Sequence, residues 1–146
     1  MLADGKRKGN IDHLIVGPTG VFVIETKNNK ETVTYDGYNW KGITKNPSYQ
    51  VEVNAFRLKD LLKECEVFSK REPYVNAIVV FSNSKLKLNL SHEETLKWSK
   101  IIRIKSQSDK SLSNYITSKS IVFNPQEIEI IERFITTIVS NYEQPI

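Results

Sequence analysis

A single cysteine, Cys65, stands in a chain of 146 residues, which excludes an internal disulfide framework. No apolar run approaches the length of a membrane span, and the features of a secretory signal are missing from the start of the chain. Repeats, linkers and low-complexity tracts are missing as well. These absences point to one domain over residues 1–146, with no membrane association, in a reducing compartment that is by default the cytoplasm. What is present agrees: 39% apolar and 26% charged residues supply a proper core for one domain of this length. The net charge of +4 suits a polyanionic partner without requiring one. Its distribution says more. Residues 85–119 carry eight Lys/Arg against Glu93, Glu94 and Asp109, whereas the segment from Ser120 is net acidic by three. Lys85, Lys87, Lys100 and Lys105 in that basic middle are candidate phosphate contacts, and scattered solvated lysines are the plain alternative.

Periodicity and punctuation predict alternating strands and helices. Ile11–Val16 and Val21–Lys27 read as strands joined by the turn Gly17-Pro18-Thr19-Gly20. Asp36-Gly37 has strong type I′ preference and predicts a second hairpin between Thr32–Tyr35 and Tyr38–Lys41. Asn46 as cap and Pro47 at the first helical position open a helix with the apolar stripe Val51, Ala55, Leu58, Leu62 and Cys65. Tyr74–Phe81 reads as a buried central strand, Ile101–Ile104 as another, and Leu86, Leu88 and Leu90 alternate as an outer strand or extended loop. Ser91-His92-Glu93-Glu94 has capping-box spacing, Asp109–Ser118 is a helix candidate, and Asn124-Pro125-Gln126-Glu127 opens a last helix with the stripe Ile128, Ile131, Ile135, Ile138 and Val139. The expected architecture is α/β, a mixed sheet with helices on its faces.

The chemistry is concentrated on the first hairpin. If Val16 pairs with Val21, paired positions sum to a constant and Asp12 falls opposite Glu25. Strand alternation turns Lys27 to the same face as both acids. Like charges opposed on a hairpin are destabilising unless neutralised, and a divalent cation with oxygen ligands is the usual solution. Glu-x-Lys alone carries no weight, but here it ends the apolar run Val21-Phe22-Val23-Ile24, where another apolar residue is expected.

The run Ile11-Asp12-His13-Leu14-Ile15-Val16, then Gly17 to Lys27, then Asn46-Pro47-Ser48-Tyr49-Gln50 at a helix start resembles the nuclease-related domain (NERD) family of the PD-(D/E)XK nuclease superfamily. The resemblance implies a restriction-endonuclease-like core and a metal-dependent nuclease acting on DNA. It further implies Mg²⁺ or Mn²⁺ held by Asp12 and Glu25 with the Thr26 backbone carbonyl as a further ligand, and a catalytic set of Asp12, Glu25, Lys27 and Gln50. Family members usually carry a helix with an acidic residue before the Asp-bearing strand. Residues 1–10 are instead a polar, Lys-rich lead-in, which implies a truncated form or an element supplied by further domains or a partner. A homo-oligomer is a separate expectation. The alternatives are a catalytically silent nucleic-acid-binding module that keeps the fold, and a protein-interaction domain. His13, on the opposite face from Asp12, reads as structural, His92 as a solvated helix start, Cys65 as core, and Trp40 and Tyr38 as cover for the second hairpin or platforms for bases.

Overall fold

The computed structural model of the chain describes residues 2–3, 8–9 and 11–143, with the backbone alone for 2–3, 8–9 and 140–143. Two short strands, β1 (Leu2–Ala3) and β2 (Lys8–Gly9), pair antiparallel within the lead-in; residues 4–7 and 10 lie outside the described residues. The predicted first hairpin is β3 (His13–Gly17) and β4 (Gly20–Lys27), with Val16 opposite Val21 and His13 opposite Ile24. Gly20 closes the turn at φ +144, a conformation that L side chains rarely adopt.

The second hairpin forms with a different turn. β5 (Val33–Tyr35) and β6 (Trp40–Lys41) pair Tyr35 with Trp40, so Gly37 and Tyr38 rather than Asp36 and Gly37 are the central residues. Among them only Gly37 has positive φ, which a type I′ turn does not satisfy. Asp36 instead uses its carboxylate, accepting from the N–H groups of Tyr38 and Asn39 at 2.9 and 2.8 Å.

Helix α1 (Pro47–Leu62) begins where predicted, the Asn46 side chain accepting from Tyr49 N–H at 2.9 Å. It buries Val51, Ala55, Leu58 and Leu62, the three larger ones completely, each contributing roughly 1.5–3 kcal/mol. Cys65 is buried too, although it falls beyond the helix and just before a 3₁₀ turn, Glu66–Phe68. β7 (Val75–Phe81) is buried at every position, as a strand covered on both faces must be. β8 (Leu88–Leu90) runs parallel to β5, making a second sheet in the order β6-β5-β8. Beyond it, His92 in left-handed geometry precedes the 3₁₀ turn Glu93–Thr95 with no side-chain cap, so the Ser91 capping box does not form; Ser91 N–H is taken by the Tyr35 carbonyl. β9 (Lys100–Arg103), α2 (Ser111–Ser118) and α3 (Pro125–Glu143) complete the chain. α3 opens on a reciprocal cap, Glu127 N–H to Asn124 at 2.8 Å and Asn124 N–H to Glu127 at 3.0 Å.

The main sheet has the order β3-β4-β7-β9, antiparallel at β3 and parallel elsewhere. Alternation divides its side chains. Val21, Val23, Val79 and Phe81 face α1 and α3, where Ile131 and Ile135 are buried; Phe22, Ile24, Ile78, Val80 and Ile102 face α2 through Leu112, Tyr115 and Ile116. Trp40 is packed between Tyr35 and Phe81, with ring centroids 5.1 and 5.9 Å away, whereas Tyr38 is 87% exposed. The mixed sheet with helices on both faces is the architecture the sequence predicted. None of the helices among the described residues is long and apolar enough to cross a membrane.

Candidate functional site

Five buried residues of β4 are followed by three half-buried ones, Glu25, Thr26 and Lys27. At this strand end the burial that makes β4 a central strand gives way to polar chemistry. The hairpin register extrapolates by one pair to set Asp12 beside Glu25, and Asp12 is fixed there by accepting from Thr26 N–H at 2.9 Å through Oδ2. Its second oxygen is left for another partner.

Glu25 and Lys27 share the α1 face of the sheet with Val21 and Val23, by alternation. Lys27 Nζ lies 3.3 Å from Glu25 Oε1 and donates to Gln50 Oε1 at 2.8 Å. Gln50 is held in the first turn of α1 by its N–H bond to the Asn46 carbonyl, so the helix cap positions this contact. An ammonium has three donors, and two are used here, which leaves the third for a water or a phosphoryl oxygen. The Gln50 amide nitrogen is likewise a spare donor. The Lys27 carbonyl accepts from Ser82 N–H at 3.0 Å on the β7 side. Because backbone groups of successive strand residues face opposite edges, the Thr26 carbonyl faces the β3 side, next to Asp12.

Burial raises the Glu25 pKa above its ordinary value, and the Asp12 charge raises it further; Lys27 and Lys45 oppose both effects. A half-buried carboxylate beside another carboxylate favours either a proton or a cation. Lys45 is a site neighbour that motif reasoning missed. Its signal is modest, a cation immediately before the helix cap Asn46.

The basic middle does not form one surface. Lys85 and Lys105 lie in loops that follow β7 and β9, at the same strand ends as Lys27. Lys87 just precedes β8 in the second sheet. Lys100 has the parity of Ile102 and so faces α2, its ammonium 5.6 Å from the Tyr115 ring centroid, on the other side of the sheet from Glu25 and Lys27. His13 is exposed with the parity of Ile15, away from the acids. His92 is exposed and pairs with Glu94 at 3.4 Å.

A cleft of about 540 Å³ bordered by Phe68, Arg71, Tyr74 and Phe123 lies at the opposite strand ends. Its arginine is committed to Glu127 and the Val122 carbonyl, so the carboxylate-lysine-glutamine group is the stronger candidate for chemistry despite the larger cavity. No group of three or more His, Cys, Asp or Glu side chains converges as a metal cluster among the described residues; the acids of the candidate site are a pair.

A mixed α/β domain that ends its central strand on an acid pair, a lysine and a helix-borne glutamine defines the class. The family model of the nuclease-related domain (NERD) matches residues 2–82, more than half of the chain, and the chain belongs to that family. No curated protein and no solved structure matches it.

Proposed function

We propose that the chain is a metal-dependent nuclease domain with a PD-(D/E)XK core, hydrolysing DNA phosphodiester bonds at the end of β4. Family membership supports a nuclease-related role. The observation that carries the chemistry is the pairing of Lys27 with both Glu25 and Gln50 on the strand end where Asp12 is fixed. The donor set suits Mg²⁺ or Mn²⁺: one oxygen of Asp12, the Glu25 carboxylate and the Thr26 carbonyl are hard oxygen ligands, and a cation offsets the burial and the repulsion from Asp12 that raise the Glu25 pKa. Bound there, Mg²⁺ supplies Lewis-acid polarisation of a phosphoryl oxygen and acidification of water. The protein's own residues do the rest. Lys27 directs its free N–H at the attacking water or at the oxygen that gains charge. Gln50 orients that lysine through its carbonyl and offers its amide N–H groups to the phosphate. Lys45 adds positive charge at the rim.

Nicking of supercoiled plasmid with and without Mg²⁺ is the direct test. Asp12→Asn and Glu25→Gln should each abolish Mg²⁺-dependent nicking while circular dichroism and the melting profile stay folded. Undiminished nicking by purified Asp12→Asn would sink the mechanism. A second reading, a nucleic-acid-binding module without catalysis, draws support from Lys27 itself, which neutralises Glu25 internally at 3.3 Å. That reading requires metal-independent DNA binding and no nicking under any divalent cation.

A further inference from the structure

Tyr38 and Tyr49 are exposed singly, whereas two exposed aromatic side chains beyond the candidate site share one depression. Tyr74, just ahead of β7, and Trp98, just ahead of β9, are each 60% exposed and border the same small depression. Isolated exposed aromatics need no explanation, but a cluster marks a binding surface. Trp98 is held rather than loose: its ring packs on Phe56 of α1 at 6.3 Å, and the next residue, Ser99, donates from its hydroxyl to Glu52 at 3.0 Å.

Cations surround these rings. Lys97, Lys100 and Lys119 line the depression with Tyr115, and no carboxylate lines it. The ammonium groups of Lys100 and Lys119 lie 5.6 and 4.9 Å from the same Tyr115 ring centroid, and neither has an ion-pair partner among the described residues. Two like charges held over one ring with no acid beside them are a ready anion site. Glu52 stands on the adjoining wall with its carboxylate engaged by Ser99, and Glu72 lines the cleft beyond Tyr74. Through Tyr74 and Lys119 the depression continues into the 540 Å³ cleft, so the surface is longer than one aromatic ring.

We propose that this surface binds single-stranded nucleic acid, with bases stacked on Trp98 and Tyr74 and phosphates on Lys97, Lys100 and Lys119. Flat exposed rings alternating with unpaired cations complement a chain that alternates bases and phosphates. An acidic peptide would use the cations and leave the rings idle. Tyr74 lies roughly 20 Å along β7 from the Phe81 level of Lys27, and Lys100, level with Ile78, is on the other face of the sheet from Glu25, so the surface acts as a strand-holding site separate from the proposed chemistry.

The test is fluorescence anisotropy of the full chain with labelled oligothymidylate and oligouridylate of about 15 nucleotides, without divalent cation. Binding to either is expected, weakening with salt, and oligodeoxyuridylate, which differs from oligouridylate in the sugar alone, assigns any preference between them to sugar or to the thymine methyl. Trp98→Ala should weaken binding about 5- to 150-fold, with Trp98→Phe recovering most of the loss. The combined Lys97→Ala, Lys100→Ala and Lys119→Ala variant should flatten the slope of log affinity against log salt by about two, at roughly 0.7 per phosphate on a single strand. Absence of binding by the wild-type chain overturns the proposal, as does binding that neither variant changes. Equal competition by inorganic polyphosphate, which has charge but no bases, also overturns it. Plasmid nicking and oligonucleotide binding are separate readouts of the wild-type chain: binding without Mg²⁺-dependent nicking ends the nuclease reading alone, and nicking without Trp98-dependent binding ends this one alone.

Discussion

Lys27 bonds to Gln50 and Glu25 together, so their substitutions are expected to differ in kind. Lys27→Ala removes the group that meets developing charge, and turnover should fall about 10²- to 10³-fold while the protein still takes up Mn²⁺. Gln50→Ala removes one charge-assisted hydrogen bond from the lysine, and a loss of about tenfold, the low end for a bond to a charged group, is expected from plasmid-nicking rates. Glu25 sets the pH dependence. Its folded pKa lies above its unfolded value near 4.5, so between the two the folded state holds the extra proton and stability falls as pH rises through that window. A cation reverses the advantage because it needs the ionised carboxylate. The rise in melting temperature given by Mn²⁺ should therefore be full at neutral pH and shrink as pH falls, beginning above pH 4.5, and it should be small at every pH in Glu25→Gln. A metal-induced shift of equal size in wild type and Glu25→Gln would remove Glu25 from the ligand set.

At the scale of elements, the start of α1 links stability to the site. Asn46 satisfies the Tyr49 N–H, and its carbonyl takes the N–H of Gln50. Asn46→Ala should cost about 1 kcal/mol in urea unfolding and also lower nicking, because the turn that carries Gln50 loosens. A helix elsewhere supplies the control: Asn124→Ala removes the α3 cap at a similar cost in stability, with nicking unchanged. The second hairpin is less forgiving. Gly42 has φ +85, and a Cβ there would sit 2.1 Å from the Thr32 carbonyl oxygen, so the backbone itself is in the way. Gly42→Ala should destabilise the β5–β6 pair, measurable as a lower urea midpoint.

At the scale of the molecule, the lysines of the basic middle fall into separate regions. Lys85 and Lys105 follow the strand ends that carry Lys27, whereas Lys100 faces α2. If duplex DNA approaches the candidate site, Lys85→Ala with Lys105→Ala should flatten the salt slope of duplex binding by nearly two, at about 0.9 per phosphate. Lys100→Ala should leave that slope unchanged. Equal slopes for the double variant and the wild type would assign duplex contact to other residues. Core packing at this scale depends on α3: Ile131 is fully buried, and Ile131→Ala should cost about 2–5 kcal/mol by leaving a cavity between helix and sheet.

Local features were readable in the chain because they depend on neighbours in sequence. The hairpin turn Gly17–Gly20, the caps Asn46 and Asn124, the apolar stripe of α1 and the continuous burial of β7 all follow from φ preferences, capping geometry and periodicity. The same period-two rule placed Asp12, Glu25 and Lys27 on one face, and the family motif added Gln50. Where two local rules competed, the tertiary structure chose. Asp36-Gly37 yielded to a turn centred on Gly37 and Tyr38 because Tyr35 and Trp40 pair over Phe81, and Ser91 gave up its cap because its N–H completes the contact with Tyr35. Trp40, read from the sequence as hairpin cover or a platform for bases, packs half-buried against the core for the same reason. The partition of the lysines lay beyond sequence altogether, since Lys100 and Lys105 are five residues apart yet Lys100 faces α2 from β9 while Lys105 lies in the loop beyond it, in the turn that Asp109 closes on its N–H. Likewise Tyr74, Trp98 and Lys119 come from distant segments, and only the parallel pairing of β7 with β9 and the return of α2 bring them to one surface.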